Sequence, residues 1–302
     1  MKEIPLVAII TVVWNNLQDT LECLDSLTQL CYPRFQVVVV DNASTDGTPQ
    51  RVAEQYPSVL LIRNMENQGY AGGCNSGIQF AVQELDAAYI CILNNDTIIR
   101  DRCFLDRLVE SAQQDRSVGV VAPLVRDYPP PHAIQYAGVR VNLYTGRARL
   151  ITRVEEEPIW TDSVHGSAFL IKREVIDKVG CFDEEFYLYW EEIDYCVRVR
   201  RAGYRVLVDR GVEICHKSGG TIGGRSELYT YYFFRNRLLL MQKHAKARHW
   251  LGLIPLLPVY ALVHIAKSRQ EGYDPILIGR SIAEAWSDFR NDRLGRRGCW
   301  QD

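Results

Sequence analysis

Phe35-Gln36-Val37-Val38-Val39-Val40-Asp41-Asn42-Ala43-Ser44-Thr45-Asp46-Gly47-Thr48-Pro49 is the stretch that decides the fold class. A strand with one solvated face alternates apolar and polar residues, and four valines in a row do not, so this strand is buried on both faces. Such a strand belongs to a mainly parallel sheet sandwiched between helices. Thr48-Pro49 reads as an N-cap and first helical residue, which leaves residues 41–47 as a strand-to-helix loop.

The same alternation continues outward from this stretch. Strand patterns at 6–13, 35–40, 59–63, 88–93 and 118–122 alternate with helical periods at about 17–29, 48–55, 72–85 and 102–114. The fold class is α/β, a mainly parallel doubly wound sheet with helices on both faces. Polar residues collect in the loops after the first four strands. These are Thr11 with Trp14-Asn15-Asn16, then Asp41-Asn42 with Ser44, then Asn67, Gly69, Tyr70, Gly72, Gly73 and Asn75, then Asn94-Asn95-Asp96-Thr97. Open α/β sheets bind ligands beyond the carboxyl ends of their strands, so the four loops address one site. The run from Gly69 opens a helix, whose free N–H groups and dipole suit a phosphate. It is not GxGxxG, and the first strand-to-helix turn has no glycine, which removes the main support for a nicotinamide-binding reading.

A second focus is Tyr187-Leu188-Tyr189-Trp190-Glu191-Glu192-Ile193-Asp194-Tyr195-Cys196. Three acids within four positions repel one another unless cations, donors or a substrate proton are shared among them. At helical spacing Glu191 and Asp194 lie together while Glu192 projects about 100° away. Glu192 is therefore the candidate general base, with the other acids held by Arg198, Arg200 and Arg201. The bland alternative is a solvated helix start favoured by the macrodipole. The surrounding aromatics have no place in that alternative.

Composition is that of a soluble globular protein: 302 residues, 47% hydrophobic, 24% charged, net charge −2. No global field draws such a chain to nucleic acid. Nine scattered cysteines without a CxxC pair suit neither a disulfide framework nor a zinc site, and read as reduced thiols in the cytoplasm. Val139-Arg140-Val141-Asn142-Leu143 and Arg147-Ala148-Arg149-Leu150-Ile151 form a hairpin pattern that flanks an acceptor site. A strand pattern at 165–172, a short helix at 174–179, the acidic helix at 190–202 and a strand near 204–208 follow. His216 then falls in a polar, glycine-rich loop.

From Glu227 the pattern is helical and aromatic. The basic cluster Lys243, His244, Lys246, Arg248 and His249 precedes an apolar run at 250–266, whose 17 residues fall short of the roughly 20 that cross a bilayer. Residues 243–266 are expected to make peripheral contact with an anionic membrane, or to pack as a helical hairpin on their own domain. The tail from Arg293 to Gly298 reads as loose. The division expected is 1–226, in halves of about 1–123 and 124–226 that the family resemblance below makes the nucleotide-sugar half and the acceptor and catalytic half, followed by a helical region at 227–302.

In order and spacing, Asp41-Asn42-Ala43-Ser44-Thr45-Asp46-Gly47, Asn67-Gln68-Gly69-Tyr70-Ala71-Gly72-Gly73-Cys74-Asn75, Leu93-Asn94-Asn95-Asp96-Thr97, Trp190-Glu191-Glu192-Ile193-Asp194-Tyr195 and His216 with Gly219-Gly220-Thr221 resemble the inverting family 2 glycosyltransferases, particularly their bacterial rhamnosyltransferase-like branch. The resemblance spans about 5–245. It implies a GT-A fold, a nucleotide-sugar donor and manganese or magnesium on the diphosphate. It places Thr11, Asn15, Asp41 and Asn42 at the nucleoside, Asp96 and His216 on the metal, and Glu192 as the base. It departs from the family where Asn94-Asn95-Asp96 replaces a run of aspartates, and where Glu191-Glu192 stands at a base position that is commonly Asp. By branch resemblance the first choice of donor is dTDP-rhamnose, and the acceptor is a glycan or lipid-linked glycan at the cytoplasmic face of the plasma membrane. A sugar nucleotidyltransferase and a non-catalytic sugar-binding relative are the competing readings. The first lacks its glycine-rich basic loop after strand one, and the second would need the base or metal positions lost.

Overall fold

The structure, a computed structural model, describes residues 3–130, 132–154, 159–217 and 224–298. In chain order the strands are β1 (Val7–Val13), β2 (Phe35–Asp41), β3 (Leu60–Arg63), β4 (Tyr89–Leu93), β5 (Thr97–Ile98), β6 (Val118–Asp127), β7 (Ile134–Tyr136), β8 (Val139–Asn142), β9 (Arg147–Leu150), β10 (Ile159–Thr161), β11 (Ala168–Lys172) and β12 (Arg205–His216). The helices are α1 (Leu17–Leu27), α2 (Thr48–Gln55), α3 (Gly69–Gln83), α4 (Phe104–Gln114), α5 (Arg173–Val179), α6 (Glu191–Arg201), α7 (Glu227–His244), α8 (Ala247–Leu253), α9 (Leu257–Gln270) and α10 (Pro275–Arg290).

The main sheet runs β10-β12-β6-β11-β4-β1-β2-β3, with β5 on β12 and β7 on β6. β1, β2, β3 and β4 are parallel, so the loops that follow them share one edge. Both faces are buried in alternation: Ile9, Val39 and Cys91 pack toward α1 and α4, whereas Ile10, Val40 and Ile92 pack toward α3 and α6. That double burial is why the valine run tolerates no polar residue.

Several expectations are corrected in detail. β11 inserts antiparallel between β4 and β6, so the fifth expected strand does not lie beside the fourth. Thr48 does not cap α2; Gly47 occupies the cap at φ 84°, and Asp46 accepts from the Thr48 amide at 3.0 Å. The strand expected near 204–208 continues through a bulge to His216, which therefore ends a strand instead of sitting in a loop. Gly219, Gly220 and Thr221 lie outside the described residues. The eight described cysteines are all free thiols.

The segment from Arg293 to Gly298 is not loose. The Gly295 amide donates to the Glu185 carbonyl at 2.9 Å, and the Arg297 amide donates to the Tyr232 hydroxyl at 2.9 Å. The basic and apolar stretch also differs from its expectation. Residues 247–270 form a nearly continuous 24-residue helical run, interrupted by a 3-10 turn at Ile254–Leu256, that is long and apolar enough to cross a membrane. Little of it packs inward: Leu251, Leu262 and Ile254 are 78%, 68% and 55% exposed. A hairpin packed wholly on its own domain would bury these side chains.

Candidate active site

A cavity of about 1010 Å³ opens at the carboxyl edge of β1, β2 and β4 and extends under α7. Its first wall holds Asn42, Gly69, Tyr70, Asn94, Asn95 and Asp96. Asn42 is a buried hub. Its amide donates to Asn67 Oδ1 at 3.1 Å and to the Gly69 carbonyl at 2.8 Å, while its oxygen accepts from Asn64 at 2.9 Å, so one side chain knits the second and third loops. The Tyr70 hydroxyl bridges Asn94 Oδ1 at 2.7 Å and the Gly166 carbonyl at 2.9 Å. Gly69 must be glycine: its φ is 71°, and a Cβ would stand 2.4 Å from the Tyr187 carbonyl oxygen.

Not every candidate faces this space. Asn15 accepts from the Thr45 amide at 2.9 Å and its own amide donates to Ser44 Oγ at 2.8 Å, which laces the first two loops together, while Asp41 accepts from the Ser44 amide at 3.0 Å within the second loop. Asn75 turns away, donating to the Phe182 carbonyl at 2.9 Å and Glu184 at 2.8 Å. Gly72 packs on Gln68. Thr11 is fully buried, its hydroxyl without a hydrogen-bond partner, and the cavity lining begins at its neighbour Val12.

Asp96 and His216 meet because β5 pairs antiparallel with the end of β12, setting Thr97 opposite His216. His216 Nε2 lies 3.2 Å from Asp96 Oδ1, a buried oxygen with no other partner among the described residues. His216 Nδ1 contacts Gln135 Oε1 at 2.8 Å; a carbonyl oxygen only accepts, so Nδ1 carries a proton and Nε2 is the ring nitrogen that faces the carboxylate, a metal ligand whenever it is unprotonated. Two electron-rich atoms so placed suit a shared cation. Ligands at about 2.1 Å and a right angle from one ion stand roughly 3 Å apart. Among the described residues no third acid, histidine or cysteine completes a cluster, so the remaining positions would fall to phosphate oxygens and water. Gln135 fixes the tautomer, a role that sequence spacing gave no means to find.

The acids of α6 separate by environment. Glu192 lines the cavity, half-buried, while Glu191 and Asp194 do not. Burial, only partly offset by amides of the first helical turn, pushes Glu192 up to about 7. Burial and then the neighbouring Glu192 push Glu191 well above the carboxylate range, which keeps it neutral. The expectation that arginines hold both other acids is met only for Asp194. It accepts from Arg198 Nε at 2.7 Å and from His244 Nε2 at 2.6 Å; Arg200 pairs instead with Asp162. The helix start is entered under strain: Tyr187, Tyr189 and Trp190 have φ of 63°, 65° and 76°, each costing on the order of 1–3 kcal/mol.

His165 was not singled out from sequence. Its ring stacks on Tyr136 at 3.9 Å and lies 5.7 Å from His216. Burial, then the His216 ring, push it down to about 3, and Nδ1 accepts from the Ser167 amide at 3.3 Å. His165 thus presents a neutral Nε2–H donor at the cavity wall. The second wall is apolar and mostly aromatic: Tyr136, Tyr189, Tyr229 and Phe233 with Leu150, and Arg296 and Arg297 at its edge.

The sequence profile described as "Glycosyl transferase family 2" matches residues 8–180. The chain belongs to glycosyl transferase family 2. Among curated relatives it is 28% identical to the N-acetylglucosaminyl-diphospho-decaprenol L-rhamnosyltransferase of Mycobacterium tuberculosis, over 73% of this chain and 78% of the relative. It is 25% identical to the dTDP-rhamnosyl transferase RfbF of Shigella flexneri, over 79% and 80%. It is 26% identical to the low-salt glycan biosynthesis hexosyltransferase Agl10 of Haloferax volcanii, over 68% of this chain and 66% of that relative. The mannosyltransferase PcManGT of Pyrobaculum calidifontis, solved with GDP-Man and Mn2+, superposes with a TM-score of 0.61 at 20% identity, covering 97% of this chain and 89% of that one. The family 2 chain thus has the GT-A architecture, with a C-terminal helical region built against it.

Proposed function

We propose that this glycosyltransferase moves a sugar, with inversion, from a nucleotide diphosphate donor to a hydroxyl of a polyprenyl-diphosphate-linked glycan, with dTDP-rhamnose as the first donor to test. The observation that carries the reading is the position of Glu192. It is the one acid of its cluster on the cavity wall, with a raised pKa and a buried Oε2 that has no hydrogen-bond partner. An acceptor hydroxyl donating to the Glu192 carboxylate gives up its proton as it attacks the anomeric carbon from the face opposite the departing diphosphate. Asp96 and His216 would hold manganese or magnesium, which when bound supplies positive charge to the leaving diphosphate. The start of α3, read from sequence as a phosphate site, is occupied from within: the Gln68 and Gly69 amides donate to the Asn42 and Asn67 side chains, and the Ala71 amide donates to the Tyr187 carbonyl. Donor choice is supported by the two relatives whose names specify rhamnosyl transfer.

The lipid part of the reading rests on α8 and α9. Tyr260 donates to the Thr145 carbonyl at 3.1 Å and the His264 ring bonds Thr230 at 2.8 Å, so α9 is tied along the protein and lies flat on it, while Leu251, Ile254 and Leu262 face outward. Lys246 and Arg248 stand at one end of the run and Lys267 and Arg269 at the other. An apolar stripe between basic ends suits the cytoplasmic leaflet of an anionic membrane, and it sets the aromatic wall beside the lipid.

The test is a panel of nucleotide diphosphate sugars with and without manganese, read by thermal shift and then by transfer to a polyprenyl-diphosphate sugar. A donor at 100 times its Kd stabilises the fold by about 2.7 kcal/mol. Stabilisation by no nucleotide, or transfer unaffected in Glu192→Gln, would overturn the proposal.

A further inference from the structure

α7 belongs by sequence to the C-terminal region, yet two of its residues grip the loop that delivers the α6 acids. Arg235 and Asn236 are completely buried. The Asn236 amide donates to three carbonyls, those of Phe186, Leu188 and Tyr189, each at 2.8 Å. Arg235 Nη2 donates to the carbonyls of Glu185 and Phe186, both at 2.9 Å, and Nη1 donates to Gly295. Arg235 Nε donates to Asn236 Oδ1 at 2.9 Å, which fixes the orientation of the amide and turns its NH2 to the loop.

The gripped loop does not hold its shape by local preference. The Leu188 amide donates to the Phe186 carbonyl at 2.7 Å across Tyr187, whose φ of 63° and ψ of −57° make the rare, strained form of the γ-turn. Tyr189 and Trp190 follow in the left-handed region, and none of the three is glycine. Such conformations persist only where surroundings over-determine them. Here the surroundings are Arg235 and Asn236 on one side. On the other is the start of α3, where the Ala71 amide donates to the Tyr187 carbonyl at 3.2 Å.

We infer that Arg235 and Asn236 are positioning residues: they clamp the loop of residues 185–190 in its strained form and thereby set the place of Glu192 at the cavity wall. This rests on Glu192 being the base. It also makes α7 the mechanical link between the catalytic loop and the apolar surface of α8 and α9. Neither residue lines the cavity, so the clamp acts on catalysis only through the loop.

Asn236→Ala and Asn236→Asp test it, the second keeping the side-chain size while losing the donors. Both are expected to lower kcat about a hundredfold, the scale of a 1 Å misplacement, with donor KM changed less than about threefold. Backbone amides of residues 187–192 are expected to exchange with deuterium at least about tenfold faster in the variants. A kcat within about threefold of the unmodified enzyme, or loop exchange unchanged, overturns the inference. Should both variants fail to fold, exchange in the unmodified protein decides: loop amides protected as strongly as those of α7 support the clamp, and loop amides opening about a hundredfold faster than α7 overturn it. If Glu192→Gln remains active the base assignment falls, while the exchange result still judges the clamp.

Discussion

The two walls of the cavity are built from different materials, and the contrast shows how such a site is specified. The first wall comes from loops that each follow a parallel strand, so Asn42, Gly69 and Asn94–Asp96 arrive together as soon as β1, β2, β3 and β4 pair. Its side chains are small, polar and hydrogen-bonded to one another. The second wall gathers Tyr136, Leu150, Tyr189, Tyr229 and Phe233 from β7, β9, the loop before α6 and α7. Tyr229 stacks on Phe233 at 5.2 Å and meets Tyr189 edge-on at 5.0 Å, and no local rule of sequence brings these side chains to one place. A polar wall with fixed donors suits a charged nucleotide sugar, while a broad aromatic wall suits the faces of an acceptor sugar or the head of its lipid.

The sharpest way to test this division is at Glu192, the acid that lines the same cavity. Glu192→Gln should lower kcat by about 10² to 10⁴, with nucleotide affinity unchanged, whereas Glu191→Gln should stay within about tenfold of wild type. Isothermal titration paired with steady-state kinetics separates the two readouts, and the reverse ranking would move the base to Glu191. The same residue sets the pH dependence. Since the base must be unprotonated, kcat/KM should fall about tenfold per unit as pH drops below a midpoint near 7, the value to which burial raises Glu192. A pH–rate profile with its acid limb at 4 to 5 would place the working carboxylate in water, not on this wall.

Within the first wall, Asp96→Ala and His216→Ala should each abolish the manganese-dependent part of nucleotide diphosphate binding. Gln135→Leu, which frees the His216 tautomer, should weaken that part by about 10- to 100-fold. Titrations with manganese and with chelator read this directly, and equal affinity under both conditions in the unmodified protein would remove the metal from the site. In the second wall, Tyr229→Ala should raise acceptor KM by up to about tenfold while slow hydrolysis of the donor by water is unchanged. A matching loss of donor affinity would mean that the walls are not separate. The smallest effect belongs to the outer surface. Leu262→Asp should reduce flotation with anionic liposomes a few-fold and leave transfer to a short soluble acceptor intact, whereas equal flotation would exclude α9 from the lipid contact.

Much of the first wall was legible in the chain itself, because strand periodicity and strand-to-helix loops are local. Val37–Val40 required burial on both faces, and parallel strands place their following loops at one edge whatever the rest of the fold does. The spacing of Glu191, Glu192 and Asp194 likewise fixed which acids share a helix face. Tertiary structure decided what those residues do. Asn15 and Asn75 are turned into braces by partners on other segments, and Asp41 braces its own loop. Glu191 is left without a cation because the arginines that follow it reach Asp194, Asp162 and His244. His216 reaches Asp96 only through the extension of β12 alongside β5. The segment from Arg293 to Gly298, polar and unpatterned, is ordered by Glu185 and Tyr232. The strained loop at 186–190 has no signature at all, since tyrosine and tryptophan do not favour positive φ, and its conformation exists because α7 supplies donors for its carbonyls. Periodicity is a property of neighbours in sequence, whereas a hydrogen bond between residues fifty positions apart depends on where the whole chain has already gone.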